Sequence, residues 1–369
     1  MLLDFFSRKN ATICIDIGFR NIKVTEVRKK SGNHVIVQKF GIAKTPRGCI
    51  SNGSIFDAPS AINAISGIIR QNKMRAKSSK IIMSGTNIIT RVCTADKIPG
   101  EDFHTTVKKH VIPYYLPTIK NDYQIDYKLL ETIHQEEKEI YKIFITAVPK
   151  IVLQSYVRVL QGLNLIPVSV DIPANSAAKF FHKAASVDIT RYWPKEERVS
   201  DKDLSTFAVI DFGSETTIVN IFQNKVLEFN RVILCGSSNI DEQIAKTCKL
   251  KDEDAEIQKI NYGMLPPSTN SPVEHHQVNK TVHSFICKLT KQIQDCFHFF
   301  NQRDYSGSIS KVFVMGGGSQ LLGLDKHLES TLGIPVYPVS LLDLDGIKID
   351  RKIEKKHLNY LVNSIGISL

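Results

Sequence analysis

The sequence has no run approaching the roughly 18–20 uninterrupted apolar residues that a membrane-spanning helix needs, so no such helix is expected. Its opening, MLLDFFSRKN, holds six residues ahead of Ser7, with Asp4 among them. That is too short for the apolar region of a signal peptide, and leaves at most a brief amphipathic contact with a membrane surface. The seven cysteines (Cys14, Cys49, Cys93, Cys235, Cys248, Cys287, Cys296) are odd in number and form no CxxC pair. Several lie in apolar segments, where cysteine behaves as a small hydrophobe, which points to a reducing cytoplasm and no structural metal. His275 and His276 in VEHHQ lack the three or four convergent ligands of a metal site. Negative charge is in deficit, with 37 acidic against 48 basic residues and a net charge of +11. The basic residues are scattered, and RKK (28–30) and KK (355–356) have no aromatics among them. They read as solvated faces and not as a nucleic-acid site. A positive excess also suits work beside an anionic inner leaflet. There is no GxxxxGK[ST] phosphate loop and no low-complexity segment.

What is present is enough chain, 369 residues, for two or three domains. CIDIGFRNIKVTEV (14–27) is an apolar strand broken by Asp-x-Gly and resumed as a β-branched strand, and VIDFGSETTIVNIF (209–222) has the same form 195 positions later. After the first hairpin, NHVIVQKFGIA (33–43) reads as a strand, DAPSAINAISGIIRQNK (57–73) as a helix capped by Asp57, and SKIIMSG (79–85) as a buried strand. A strand (87–99), a helix stopped by prolines (GEDFHTTVKKHVIPYYLP), polar strands around YQIDYKLL and YKIFITAVP, and a helix over 149–167 follow. This strand-helix-strand-strand unit reads as an inserted subdomain. VSVDIPANSAAKFF (168–181) returns to a buried strand and helix, and a polar connector (188–205) holds the only tryptophan, Trp193. Beyond the second hairpin the pattern predicts helices, a loop over 263–277, a long helix over 279–301, and a strand running into Gly316, Gly317 and Gly318. A further helix is expected from Ser319, as its cap, to Gly333.

An Asp-x-Gly turn at the end of a buried strand aims a carboxylate outward and leaves backbone free to approach a ligand. Glycine permits the turn, successive N–H groups can cradle phosphate, and the carboxylate can hold a hydrated magnesium ion beside it. A single such turn is a common hairpin signal with no ligand. Two related copies suggest duplicated halves closing on one phosphate chain. Three glycines after a strand permit a flat ring to lie against backbone, although a plain strand-to-helix turn is the alternative. Leu321, three residues past Gly318, excludes a dinucleotide fingerprint.

Asp-Gly hairpin, connecting region, second Asp-Gly hairpin and glycine triplet, in this order, resemble the actin-like ATPase superfamily. The inserted unit narrows the resemblance to the cell-division FtsA family and the type IV pilus assembly PilM family. TPRGCISNGSIFDAPSAINAISGIIRQNK and VMGGGSQLLGLDKHLESTLGIPVYPVS look like the PilM segments before the first helix and around adenosine. The likeness covers nearly the whole chain, Thr12 to Leu369. It implies an α/β actin-like fold of two duplicated halves around a nucleotide cleft. The parts would be a first half (1–85), an inserted SHS2-like subdomain (86–165), the first half again with the connector (166–205), a second half (206–340) and a C-terminal segment (341–369) returning to the first.

The resemblance implies ATP and magnesium as ligands. Asp16 and Asp211 would face magnesium through water, while Gly18 and the turn Gly213, Ser214 to Thr216 hold phosphates. Gly317 and Gly318 would back the adenine, with Gly316 and Ser319 also in the nucleotide site, and Glu256 and Lys259 of DAEIQK would reach ribose and base. A surface pair between Glu256 and Lys259 is the alternative for those two. Arg20 stands where many relatives keep a small hydroxyl residue; it can donate to phosphate or point to solvent. Pro173 and Ala174 stand where many relatives place a Glu-Pro pair near the attacking water, with Asp171 the only carboxylate nearby. No catalytic residue is assigned, and hydrolysis is expected to be slow or absent.

The function implied is a cytoplasmic ATP-binding adaptor of the type IV pilus, or of a related secretion platform. It would bind the cytoplasmic N-terminal tail of a PilN-like inner-membrane protein beside the inserted subdomain, with the pilus assembly ATPase as a further candidate partner. Membrane contact would be indirect. An FtsA-like membrane-bound polymer is the alternative; that family carries a tail helix, and NYLVNSIGISL reads here as a last core helix. A small-molecule kinase or chaperone ATPase would need a catalytic carboxylate in the first half.

Overall fold

A computed structural model of the chain describes residues 11–30, 34–119, 121–135, 138–188, 200–201, 203–267, 273–302 and 307–369. The N-terminal decapeptide and most of the connector around Trp193 lie outside these residues.

The two hairpins seed two sheets of the same design. In the first, β1 (Ala11–Ile17), β2 (Asn21–Lys29) and β3 (Val35–Lys44) are antiparallel neighbours. On its other side β1 pairs in parallel with β4 (Ser78–Ile82), and β4 with β8 (Ile166–Asp171). In the second, β9 (Thr206–Phe212), β10 (Thr217–Gln223) and β11 (Val226–Ile233) repeat the antiparallel trio. β9 then pairs in parallel with β12 (Lys311–Met315), and β12 with β13 (Val336–Pro338). Asp16 lies beside Ile82 across the parallel pair, and Asp211 beside Met315. The central strands are buried on both faces, and their side chains are accordingly β-branched and aromatic in near-continuous runs. The first sheet gains β14 (Ile347–Ile349), which brings the C-terminal segment back to it.

Two apolar cores serve the halves, and the first extends onto one face of the second sheet at Phe207, Phe222 and Phe313. Ile15, Ile65 and Phe180 belong to the first, and Ile210, Ile286 and Phe300 to the second. Helix α1 (Ala58–Gln71) starts at Asp57, whose carboxylate accepts from the Ser60 N–H, and it buries Ala61, Ile65 and Ile68.

The insertion is a three-stranded sheet of β5 (Ile89–Asp96), β7 (Lys138–Pro149) in the middle and β6 (Tyr123–Gln135). A helical run over it closes a third core around Val107, Val111, Ile143 and Ile145. The sequence stops this helix at prolines, and it ends at Tyr115, just before Pro117, after running through Pro113. Just before Pro113 the turn widens to a π-helix over Val107–Val111, which relieves the clash a proline ring makes inside an α-helix. Helix α2 (Lys150–Gly162), counted with the insertion from sequence, turns Val152, Tyr156, Val159 and Leu160 into the first half's core. The insertion also touches the second half, where Lys142 bonds Glu228 at 2.6 Å and Thr90 bonds Asn230 at 2.5 Å.

Helices α3 (Pro173–His182) and α8 (Leu358–Ser368) cross closely between the halves. A Cβ on Gly366 would stand 1.9 Å from the Ser176 carbonyl, so this crossing admits only glycine at that position. In the second half α4 (Ser237–Cys248), α5 (Asp252–Tyr262) and α6 (Val273–Asn301) follow the hairpin. The predicted loop 263–277 is thereby corrected at its end: 273–277 form the first turn of α6, with His275 stacked on Tyr262 at 3.6 Å. The helix expected from Ser319 is also corrected. Gly317–Gln320 is a single 3₁₀ turn, and α7 (Leu324–Leu332) begins after Gly323, at φ 79°, and ends at Gly333, at φ 67°. Among the described residues no helix is long and apolar enough to cross a membrane.

Candidate functional site

The two hairpin turns face one another across a cavity of about 480 Å³, within the usual size range of small-ligand pockets. Both turns are built alike. The Gly18 N–H donates to the Asn21 carbonyl at 3.0 Å, and the Gly213 N–H to the Thr216 carbonyl at 3.0 Å. A Cβ on either glycine would stand within 2.9 Å of that same acceptor oxygen. The second turn is backed by the start of α4, where Ser237 N–H donates to Gly213 O and Ser238 N–H to Ser214 O. Two of the amides that begin this helix, which have no partner within it, are thereby satisfied. The first turn is backed by Thr45, whose hydroxyl donates to Gly18 O at 2.6 Å.

Asp16, Gly18, Arg20, Asp211, Gly213, Ser214, Thr216, Glu256, Lys259, Gly316, Gly317 and Gly318 all line this one cavity. Ser319 does not: its hydroxyl donates to Gly316 O at 2.7 Å and closes the 3₁₀ turn. Nor do the three glycines share one role. A Cβ on Gly316 (φ 85°) would lie 2.4 Å from Asp211 Oδ1, and one on Gly318 2.5 Å from the Phe212 ring. These two glycines make room for the second hairpin. Gly317 alone offers open backbone, its nearest neighbour being the Tyr360 ring at 3.8 Å.

At the cavity floor Lys23, missed in the sequence reading, holds Asp16 at 3.0 Å. The signal for it was present: Lys23 is the cross-strand partner of Asp16 in the hairpin register. Burial works against the Lys23 ammonium, but Asp16 beside it, their hydrogen bond, and Asp211 together hold its pKa above the usual lysine value. Desolvation pushes the Asp211 carboxyl up to about 6; Asp16 adds to this, while Lys23 and a hydrogen bond from Asn363 oppose it. The Ser214 hydroxyl and the Asn363 Oδ1 are buried and have no hydrogen-bond partner.

These observations fit magnesium and phosphate. Two carboxylates with few other donors suit a cation that keeps its waters, and among the described residues no group of three His, Cys, Asp or Glu could ligate a metal directly. The lysine, the Ser214 hydroxyl and the two turns suit phosphate oxygens.

Toward the cavity mouth the geometry departs from expectation. Arg20, which lines the cavity, reaches across the cleft to Asp241 at 3.0 Å and Glu256 at 3.3 Å. Lys259 bonds Asp241 at 2.7 Å and the Ser237 carbonyl at 3.0 Å, so Glu256 and Lys259 take different partners instead of each other. Asp241 is only 2% exposed, and desolvation raises its pKa despite Lys259 and Arg20. Lys44 stands 3.9 Å from Glu256, and Arg47 2.9 Å from Glu253.

Pro173 lines the cavity. Asp171 does not; it accepts from the Ile172 N–H, Asn175 and Lys179, all within 2.9 Å. Glu215, at the tip of the second turn, is another cavity carboxylate absent from the sequence reading, with its pKa raised by burial. Ser84, Gly85 and Thr86 also line the cavity, at the strand end that corresponds in the first half to the glycine triplet.

The structure is similar to that of the PilM-PilN type IV pilus biogenesis complex, with a TM-score of 0.76 and 21% identity over 97% of each chain. It is also similar to ethanolamine utilization protein EutJ from Carboxydothermus hydrogenoformans (TM-score 0.55, 14% identity, 97% of this chain and 89% of that one). A third likeness is to MreB5 of Spiroplasma citri bound to ADP (TM-score 0.54, 12% identity, 98% and 96%). At these identities the likeness establishes an actin-like fold. The family model for type IV pilus assembly protein PilM matches residues 14–367. The chain belongs to the PilM family.

Proposed function

We propose that this protein is an ATP·Mg-binding adaptor of the type IV pilus assembly platform, with slow or absent hydrolysis. One observation carries the nucleotide part: both Asp-Gly turns and the glycine triplet open on a single cavity, with Lys23 between the two carboxylates. When bound, magnesium would neutralise phosphate charge. Asp16 and Asp211 would orient its waters, Lys23 and Ser214 would bind phosphate oxygens, and Gly317 would leave the backbone open beside the nucleoside. Slow turnover is supported by Pro173 in the cavity wall and by the full engagement of Asp171 elsewhere. Calorimetry with ATP·Mg tests the reading. Asp211→Ala should weaken binding, and equal affinity for parent and variant would refute it. Turnover at the ~1–10 s⁻¹ of ordinary enzymes would refute the slow-hydrolysis part, and Glu215→Gln would then show whether that carboxylate is the base.

The partner is the cytoplasmic tail of a PilN-like inner-membrane protein, docked between the insertion and the first half, and recruitment to the membrane's inner face follows from it. The similar solved structure is a PilM-PilN complex. On this chain the edge strand β8 leaves Ile166 and Val168 exposed, and α2 leaves Ile151 exposed. An extended peptide can use such an edge through main-chain bonds and side-chain pockets. Ile89 lies opposite Ala147, so a short Gly-Ser linker can replace residues 89–148. That variant should lose the PilN-tail peptide and keep ATP. Peptide binding at parental affinity would refute the groove. Tight binding of the parent to anionic vesicles without the peptide would show a direct membrane anchor instead.

A further inference from the structure

We propose that Asn363, on the C-terminal helix α8, is a positioning residue of the cation site: its Nδ2 holds Asp211 and its Oδ1 accepts from a metal-bound water. This rests on the ATP·Mg reading above.

Three observations meet at this side chain. Asn363 is 8% exposed yet lines the cavity. Its side chain lies close enough to Asp211 to lower that carboxyl's pKa. Its Oδ1 is buried without a hydrogen-bond partner, in a fold where such an acceptor is costly unless something fills it. The chemistry fixes which way the amide points. A carboxylate only accepts, so an ionised Asp211 takes Nδ2 and turns Oδ1 away from itself. A neutral amide oxygen is a hard acceptor that adds no negative charge to the pair Asp16 and Asp211. A carboxylate in its place would set a third anion beside them and raise their mutual repulsion.

The position is also mechanically sound. The Asn359 carbonyl, one turn earlier on α8, accepts from the Gly316 N–H at 3.0 Å, and Gly366, beyond Asn363, seats α8 against α3. The amide is therefore carried on a helix anchored to the glycine triplet on one side and to the crossing with α3 on the other. Groups that orient metal ligands or their waters typically change metal affinity by about tenfold or more when removed.

The test is ATP titration of the full chain by calorimetry, once with excess Mg²⁺ and once with EDTA, for the parent, Asn363→Leu and Asn363→Ser. The parent should bind more tightly with Mg²⁺. In Asn363→Leu this gain should shrink by about tenfold, while affinity in EDTA stays within about twofold of the parent. Asn363→Ser answers the same question if the leucine variant does not fold. An undiminished Mg²⁺ gain in the folded variant overturns the proposal, as does an equal loss with and without Mg²⁺, the mark of a merely structural residue. A parent that binds ATP equally in EDTA overturns it too. A parent that binds no ATP refutes the nucleotide reading itself, and the inference with it.

Discussion

The two Asp-Gly hairpins have one backbone and two chemistries. Their turns close with the same bond at the same length, and their strands continue into equivalent parallel partners. Where the first hairpin has Lys23 opposite Asp16, the second has Ile218 opposite Asp211. At the tips, Phe19 and Arg20 of the first correspond to Ser214 and Glu215 of the second. The first copy therefore brings the cations, and the second brings a desolvated carboxylate and a small hydroxyl. Duplication supplies a symmetric frame, and a phosphate chain with its cation, which is not symmetric, is met by dividing the charges unequally between the copies.

Removing Lys23 should break this division most severely. Lys23→Met leaves Asp16, 4% exposed, and Asp211 facing each other without the ammonium. Stripping one partner from a buried pair typically costs about 3–5 kcal/mol. We expect a loss of that order in urea unfolding of the ligand-free protein. Asp211→Asn in the same chain should recover much of it, because one carboxylate is then gone. A single Lys23→Met variant as stable as the parent would show that the cation does not bind the two copies together.

A smaller effect should appear with pH, through Asp211 of the second hairpin. Desolvation raises the folded pKa of Asp211 to about 6, above its ordinary value. Its contribution to ligand-free stability is therefore fully present below the ordinary carboxylate pKa and is lost as pH rises toward 6. Binding of ATP·Mg needs the ionised form and runs the other way: affinity should fall as pH drops through about 6. Asp211→Asn should flatten that profile at a lower overall affinity. A parent profile already flat between pH 5 and 7 would contradict the assigned asymmetry.

What the sequence made legible was the part written in local pattern. Repeated Asp-x-Gly turns, strand alternation and the apolar stripe of α6 carry their own signals, and the turns lead to the cavity and to part of its lining. The pairings across the cleft were not legible. Arg20 and Glu256 stand 236 positions apart, and no periodicity near Arg20 announces which partner the fold brings to it. The glycine triplet was legible as a site but not in its division of labour, because the contacts of Gly316 and Gly318 are with Asp211 and Phe212 of a distant strand. Lys23 was legible through its register opposite Asp16 and needed only the hairpin to be drawn as a ladder. The end of the inserted helix was legible too: it runs through Pro113, which a π-turn accommodates, and stops just before Pro117.

The tip of the first hairpin offers the smallest and most discriminating effect. Arg20 ties the first half to α4 and α5 through Asp241 and Glu256, with Lys44 and Arg47 adding exposed pairs to the same helix α5. Arg20→Gln removes the cross-cleft charge but leaves Asp241 paired with Lys259 at 2.7 Å, so no buried carboxylate is stranded. The loss should then be that of one half-exposed ion pair, about 1 kcal/mol, or roughly fivefold in rate. If the pairs hold the mouth closed over the ligand, this shows as faster release of a fluorescent ATP analogue in stopped flow. Added KCl should speed release from the parent and do so less in the variant, since screening acts on the pairs that the variant has already lost. Phosphate recognition by Arg20 predicts another pattern: ATP affinity falling far more than AMP affinity, because the lost partner would be the phosphate chain. Equal proportional loss for ATP and AMP supports a clasp at the mouth, whereas a loss confined to ATP would return Arg20 to the phosphate-binding role of the hairpin tip.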